Sequence, residues 1–123
     1  MTKRVLSVGQ CGPDHGSLRA YIERKFDAKV VPADDADEAL AALGGEPFDL
    51  VLVNRKLDVD YSDGMEVVRR IKADSRLSAI PCMLVSNLAE HQQAAIAAGC
   101  EPGFGKQEYA RPETREKLAR FLE

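Results

Sequence analysis

The sequence predicts an α/β fold, a five-stranded parallel sheet with helices packed on both faces. Three observations carry the prediction. Strand-like and helix-like segments alternate from one end of the 123 residues to the other. The two central strand segments, Phe48–Val53 and Ile80–Val85, are apolar on both faces, the pattern of strands buried inside a parallel sheet. The helical segments between them present apolar stripes, as the crossover helices of βα units do.

Taken in order, Lys3–Val8 is a short run with β-branched residues, stopped by Gly9. Gly12-Pro13 breaks the chain, and Asp14 is placed to cap a helix from about His15 to Phe26. Leu18, Ile22 and Phe26 recur there at i, i+4 and i+8 as one buried stripe. Lys29–Val31 reads as a second, shorter strand. Asp34 and Asp35 offer caps for an Ala-rich helix, Asp37 to Leu43, ended by Gly44-Gly45. Phe48–Val53 is the third strand. Ser62-Asp63-Gly64 leads into a helix with Met65, Val68 and Ile71 inward and Arg69, Arg70 and Lys72 outward. Ile80–Val85 is the fourth strand, and Ala89–Ala98 a fourth helix ended by Gly99. A fifth strand falls near Gly103–Gly105. Pro112 opens a last helix, where proline gives up no intrahelical bond, and Leu118, Phe121 and Leu122 share a face.

Composition narrows the functional classes. Apolar residues at 45% and charged residues at 30% fit a globular chain with its own core. The net charge is −3 and the Lys and Arg residues are scattered, so no basic stripe suits nucleic acid. Cys11, Cys82 and Cys100 are odd in number and lack paired spacing. That argues against a disulfide framework and for the reducing cytoplasm. Only Val5 to Val8 separate the basic Lys3-Arg4 from Gly9, too short an apolar run for a secretory signal, and no run approaches a membrane span. No repeat, linker or low-complexity stretch divides the chain, so a single domain, 1–123, is expected.

Four stretches carry more when taken together. Phe48-Asp49-Leu50-Val51-Leu52-Val53-Asn54 is an apolar strand ending in a polar residue. Asp63-Gly64-Met65-Glu66-Val67-Val68-Arg69-Arg70-Ile71-Lys72 opens a helix on Asp-Gly. Ile80-Pro81-Cys82-Met83-Leu84-Val85-Ser86 is a strand ending in a hydroxyl. Ala97-Ala98-Gly99-Cys100 leads on to Lys106. In this order and spacing the chain resembles, over essentially its whole length, the receiver domain of two-component response regulators. The resemblance implies a flavodoxin-like (βα)5 doubly wound sheet, strand order 2-1-3-4-5, in a three-layer α/β/α arrangement. It also implies a pocket at the strand ends. Asn54 stands at the place of the phosphoacceptor aspartate, and Gly9 and Gln10 at the acidic pair that binds Mg²⁺ with it. Ser86 matches the hydroxyl residue that contacts the phosphoryl group, and Lys106 the lysine that pairs with it.

All three carboxylates of that resembled metal site are therefore missing. A carboxylate oxygen can attack phosphorus and hold a hard cation, whereas a neutral amide does neither well. Mg²⁺ belongs to the family, but with its ligands absent no cofactor is expected. Other departures agree. Gln107 replaces the proline usual after the lysine. Gly103 stands where the family has its switch aromatic, with Phe104 displaced by one. Asn87 replaces a small residue after Ser86, and the loop from Asn54 to Gly64 is longer than the family's and lacks its Met-Pro. The expectation is a pseudo-receiver, with the fold kept and the phosphorylation switch lost.

Several features keep two readings open. Asp58 and Asp60, in the longer loop, are either displaced acceptors or solvated turn residues. Lys106 turns to solvent, pairs with Asp58 or Asp60, or holds an anion. Gly9–Ser17 is glycine-rich and precedes a helix, a place where phosphates bind, yet it matches neither phosphate-binding fingerprint. Cys11 and His15 are spaced to share a helical face, but zinc needs more ligands than these. His91 sits among Glu90, Gln92 and Gln93 on what reads as a solvated face. Ala94, Ala95 and Ala98, with Phe104, form a candidate interaction face, since small side chains let a partner approach. Alanine is also simply the best helix former.

The function expected is signal transduction by protein–protein contact in the cytoplasm, without enzymatic activity. The partner would be a histidine kinase, a phosphotransfer protein, an output protein or a second copy of the chain, not nucleic acid or membrane. The alternatives are a phosphorylatable receiver using Asp58 or Asp60, and a small-ligand or anion-binding flavodoxin-like module using Gly9–Ser17 with Ser86 and Lys106.

Overall fold

The computed structural model describes residues 2–109 and 111–123. The elements run β1 (Lys3–Val8), α1 (Gly12–Lys25), β2 (Ala28–Ala33), α2 (Ala36–Gly45), β3 (Leu50–Asn54), α3 (Gly64–Ala73), β4 (Cys82–Val85), α4 (Ala89–Ala97), β5 (Glu101–Phe104) and α5 (Pro112–Leu122). All five strands pair in parallel in the order β2-β1-β3-β4-β5, the class and order that the sequence led us to expect.

Alternation along each strand sends neighbouring side chains to opposite faces of the sheet. Leu6, Val8, Val51, Val53 and Leu84 pack with Ala39 and Leu43 of α2, Val68 and Ile71 of α3 and Ala95 of α4. Val5, Leu50, Leu52, Met83 and Val85 pack with Leu18 and Ile22 of α1 and Leu118 and Leu122 of α5. Two cores on one sheet explain why β3 is apolar at every position: neither face meets water.

Several boundaries move. Helix α1 begins at Gly12 rather than His15, because Pro13 opens its first turn instead of breaking the chain. Asp14 is consequently not a cap but lies inside that turn, and Cys11 holds the N-cap position. Strand β2 extends through Pro32, which an edge strand tolerates because one side of it needs no ladder donor. Asp35 caps α2 by accepting from the Glu38 N–H at 2.9 Å, and Asp63 caps α3 by accepting from the Met65 N–H at 2.9 Å. Glycines 44 and 45 form the last turn of α2 rather than standing beyond it.

Strand β5 holds the largest surprise. It begins at Glu101, and its register against β4 shifts: Met83 faces Glu101, but Val85 faces Phe104. One extra residue on β5 thus sits opposite Leu84. At Gly103 a Cβ would lie 2.1 Å from the Leu84 carbonyl oxygen, so no side chain can stand there. The aromatic moves on by one position, and Phe104 turns into the core at 1% exposure. This corrects its assignment to an interaction face. Ala95 is likewise fully buried, while Ala94 is exposed and Ala98 half-buried. The exposed apolar residues of this region are Leu88 and Ile96 instead.

The Gln92 side chain mends the irregular ladder. Its amide nitrogen donates to the carbonyls of Leu84 at 2.9 Å and Ser86 at 3.1 Å, and its oxygen accepts from the Gly103 N–H at 2.9 Å. Gln92 is therefore half-buried and structural, not part of a solvated face. Replacing Gln92 by Ala strands the Leu84 and Gly103 groups, and is expected to lower the unfolding free energy by about 1–3 kcal/mol. Chemical denaturation with an unchanged slope checks this.

Candidate functional site

The C-terminal ends of β1, β3, β4 and β5 bring Gly9, Gln10, Asn54, Ser86 and Lys106 to one edge of the sheet. In open α/β sheets, ligands bind outside this edge. The five residues share the edge, but the side chains of Asn54, Ser86 and Lys106 are each tied to a different element.

Asn54 is the last residue of β3 and is buried. Its side-chain nitrogen donates to the carbonyl of Gly9 at 3.2 Å and to the carbonyl of Lys56 at 2.6 Å. Two acceptors on one side fix the amide with its nitrogen toward them. Gly9 lies just beyond β1 with φ +75°, and its carbonyl also accepts from the Asp58 N–H at 3.0 Å. Asn54 thereby fastens the end of β1 to the loop that follows β3.

That loop folds back on itself. Lys56 pairs with Asp63 across an antiparallel bridge, the Leu57 N–H donates to Ser62, and the Tyr61 N–H donates to Leu57, with Tyr61 in the left-handed region at φ 59°. The extra length sends Leu57 inward to 2% exposure. A Cβ on Gly9 would fall 2.3 Å from Leu57 Cδ2. Leu57 thus occupies the space into which a side chain at position 9 would project, and the positive φ disfavours any non-glycine residue there.

Asp58 and Asp60 are exposed. The Asp60 carboxylate accepts from the Ser62 N–H at 2.9 Å, as a turn residue does, and hydrogen bonds from the Ser62 side chain first and this N–H second hold it below the usual carboxylate range. Neither meets Lys106. The lysine ammonium pairs with Asp14 instead, at 2.6 Å. That partner follows from the early start of α1, which carries Asp14 to the edge. The Lys106 hydrogen bond and charge, helped by a hydrogen bond from the Cys11 thiol, lower the Asp14 carboxyl against the opposing effect of burial.

Ser86 turns toward α4. Its Oγ lies 2.8 Å from His91 Nδ1 and accepts from the Leu88 N–H at 3.2 Å. This pairing corrects the reading of His91 as purely solvated. Gln10 is buried, and its amide has no hydrogen-bond partner among the described residues.

These residues do not fit Mg²⁺, which demands hard, charged oxygens in octahedral array. At position 54 the group aimed at the Gly9 and Lys56 carbonyls is a donor. Position 9 has no side chain and no room for one, and position 10 offers only a neutral amide. Among the described residues, no group of three His, Cys, Asp or Glu side chains is arranged to hold a metal.

Comparison with solved structures identifies the fold. The chain superposes on chemotaxis protein CheY4 of Vibrio cholerae with a TM-score of 0.78 at 22% identity, covering 99% of this chain and 100% of that one. It matches a response regulator receiver protein from Pseudomonas putida with a TM-score of 0.77 at 18% identity, covering 98% of each. It also matches the receiver domain of sensor histidine kinase PA1611 from Pseudomonas aeruginosa, a structure with magnesium coordinated in the active-site cleft. There the TM-score is 0.72 at 19% identity, over 98% of this chain and 93% of that one. Comparisons with protein-family models and with curated proteins find no match. The chain has the fold of response regulator receiver domains.

Two outcomes follow. Asn54→Asp sets a buried carboxylate against two carbonyl oxygens, so its folded-state pKa is raised. The variant is expected to lose about 1–3 kcal/mol at neutral pH and to recover part of it on acidification, as the protonated acid regains one donor. Denaturation at two pH values checks it. In the native chain, the lowered Asp14 pKa means that the Lys106 pairing stabilises above the ordinary aspartate range and is lost as pH falls through the lowered value. Carboxyl ¹³C titration should show the Asp14 midpoint below that of an ordinary aspartate, and Lys106→Ala should raise it.

Proposed function

We propose that this chain is a receiver-like signalling domain that acts in the cytoplasm through protein–protein contact, without phosphorylation at position 54 and without turnover of its own. The observation that carries this reading is the donation of the Asn54 amide to the Gly9 and Lys56 carbonyls. It supports a pocket whose residues are spent on holding the fold together rather than on capturing a phosphoryl group. The Asp14–Lys106 pair and the Ser86–His91 pair add to it, because both side chains that would meet a phosphoryl group already have partners.

The kinds of protein that use this fold point to the partners. The structural relatives include a chemotaxis protein, response regulators and a receiver domain within a sensor histidine kinase. A kinase, a phosphotransfer protein or an output protein is the corresponding partner here, and a second copy of the chain is the symmetric alternative. No helix of the described residues is long and apolar enough to cross a membrane.

Incubation with acetyl phosphate and Mg²⁺, followed by intact-mass analysis, tests the reading. The expected result is no phosphoryl adduct. A hydroxylamine-sensitive adduct that disappears in Asp58→Asn or Asp60→Asn would establish a displaced acceptor and overturn it.

A further inference from the structure

A groove of about 420 Å³ runs between α1 and the start of α5. Its floor is aromatic. Tyr21 is buried and stacks on half-buried Tyr109, with ring centroids 5.8 Å apart and planes at 26°. Its rim is basic: Arg24, Lys25, Arg111 and Arg115 are all exposed. Among the described residues no carboxylate lines it, although the whole chain carries 20 acidic residues against 17 Lys and Arg.

Helix electrostatics explain half of this cluster. Arg24 and Lys25 fall in the last turn of α1, where cations complement the helix dipole. Arg111 and Arg115 have the opposite placement. Arg111 occupies the N-cap of α5 and makes no side-chain cap bond, and Arg115 lies close behind it. A hydroxyl or carboxylate is favoured at that end and a cation is disfavoured. Their partners, Glu108 at 3.0 Å and Glu123 at 2.9 Å, form exposed ion pairs of the kind that add little. Arg115 also lies over the ring of buried Phe26, 5.5 Å from its centroid, so it is Arg111 for which folding stability gives no reason.

We propose that the groove docks a short acidic segment of a partner protein, its carboxylates on the four cations and an aromatic or aliphatic side chain on the Tyr21–Tyr109 floor. This rests on the reading of the chain as a protein-docking domain and adds the surface and the partner's chemistry. Guanidinium groups bind carboxylates through paired N–H donors; Glu123 can yield Arg115 to an incoming carboxylate and return to water, while Glu108 stays tied to the Gly105 N–H and leaves Arg111 its remaining donors. A nucleic acid fits less well. Its charge continues beyond the groove, toward Glu23, Glu113 and Glu116 on the same two helices.

The test uses the full chain and a fluorescein-labelled peptide, Glu-Asp-Phe-Glu-Asp, followed by anisotropy and by amide NMR. Saturable binding that weakens with salt, with shifts confined to the end of α1 and the start of α5, is expected. The pairs Arg24→Glu with Lys25→Glu, and Arg111→Glu with Arg115→Glu, should each weaken it roughly tenfold or more with the fold intact by circular dichroism. Absence of binding, binding unaffected by both pairs, or tighter binding of an oligothymidylate at the same residues would overturn the proposal. A phosphorylatable pocket would overturn the wider reading and leave this titration unchanged, so the two failures are distinguishable.

Discussion

The Asn54 side chain donates to two carbonyls at once, and the edge of the sheet is organised around that bond pair. One acceptor belongs to Gly9 at the end of β1 and the other to Lys56 in the loop after β3. Only a neutral amide can satisfy both, because a carboxylate has no proton to give and would face oxygen on both sides. The loop held in this way brings Leu57 against Gly9, and Leu57 in turn leaves position 9 room for nothing larger than hydrogen. Positions 9, 54 and 57 are therefore coupled. Introducing one carboxylate without moving the loop would not create a cation site.

Lys106 shows the same economy. A lysine beside missing carboxylates would be an unpaired, partly desolvated charge, which proteins avoid. Asp14 supplies the counter-charge from a different element, the first turn of α1, where a carboxylate is also favoured by the helix dipole. Ser86 is tied to α4 through His91. The edge is divided among three separate local contacts.

The fold was legible because β3 and β4 are apolar on both faces and the elements alternate. The resemblance picked out Gly9, Gln10, Asn54, Ser86 and Lys106, and the ends of the strands bring those positions to one edge. What the sequence concealed depended on tertiary detail. Pro13 reads equally as a breaker and as a first-turn residue, and that choice decides whether Asp14 caps a helix or reaches Lys106. The one-residue shift in β5 leaves no local signature except Gly103, and it decides whether Phe104 is on the surface or in the core. Gln92 was hidden by the alanines around it, which give α4 no apolar stripe to read. Its spacing of three from buried Ala95 was the available signal that it faces inward.

The Asn54 bond pair implies a pocket closed to cation and phosphoryl chemistry. The most direct measurement is an amide NMR titration with Mg²⁺, then with Mg²⁺ and beryllofluoride, a phosphoryl mimic. No saturable shift is expected at Gly9, Asn54, Ser86 or Lys106 through the millimolar range. Saturable shifts at those residues that spread to α4 and β5 would contradict it.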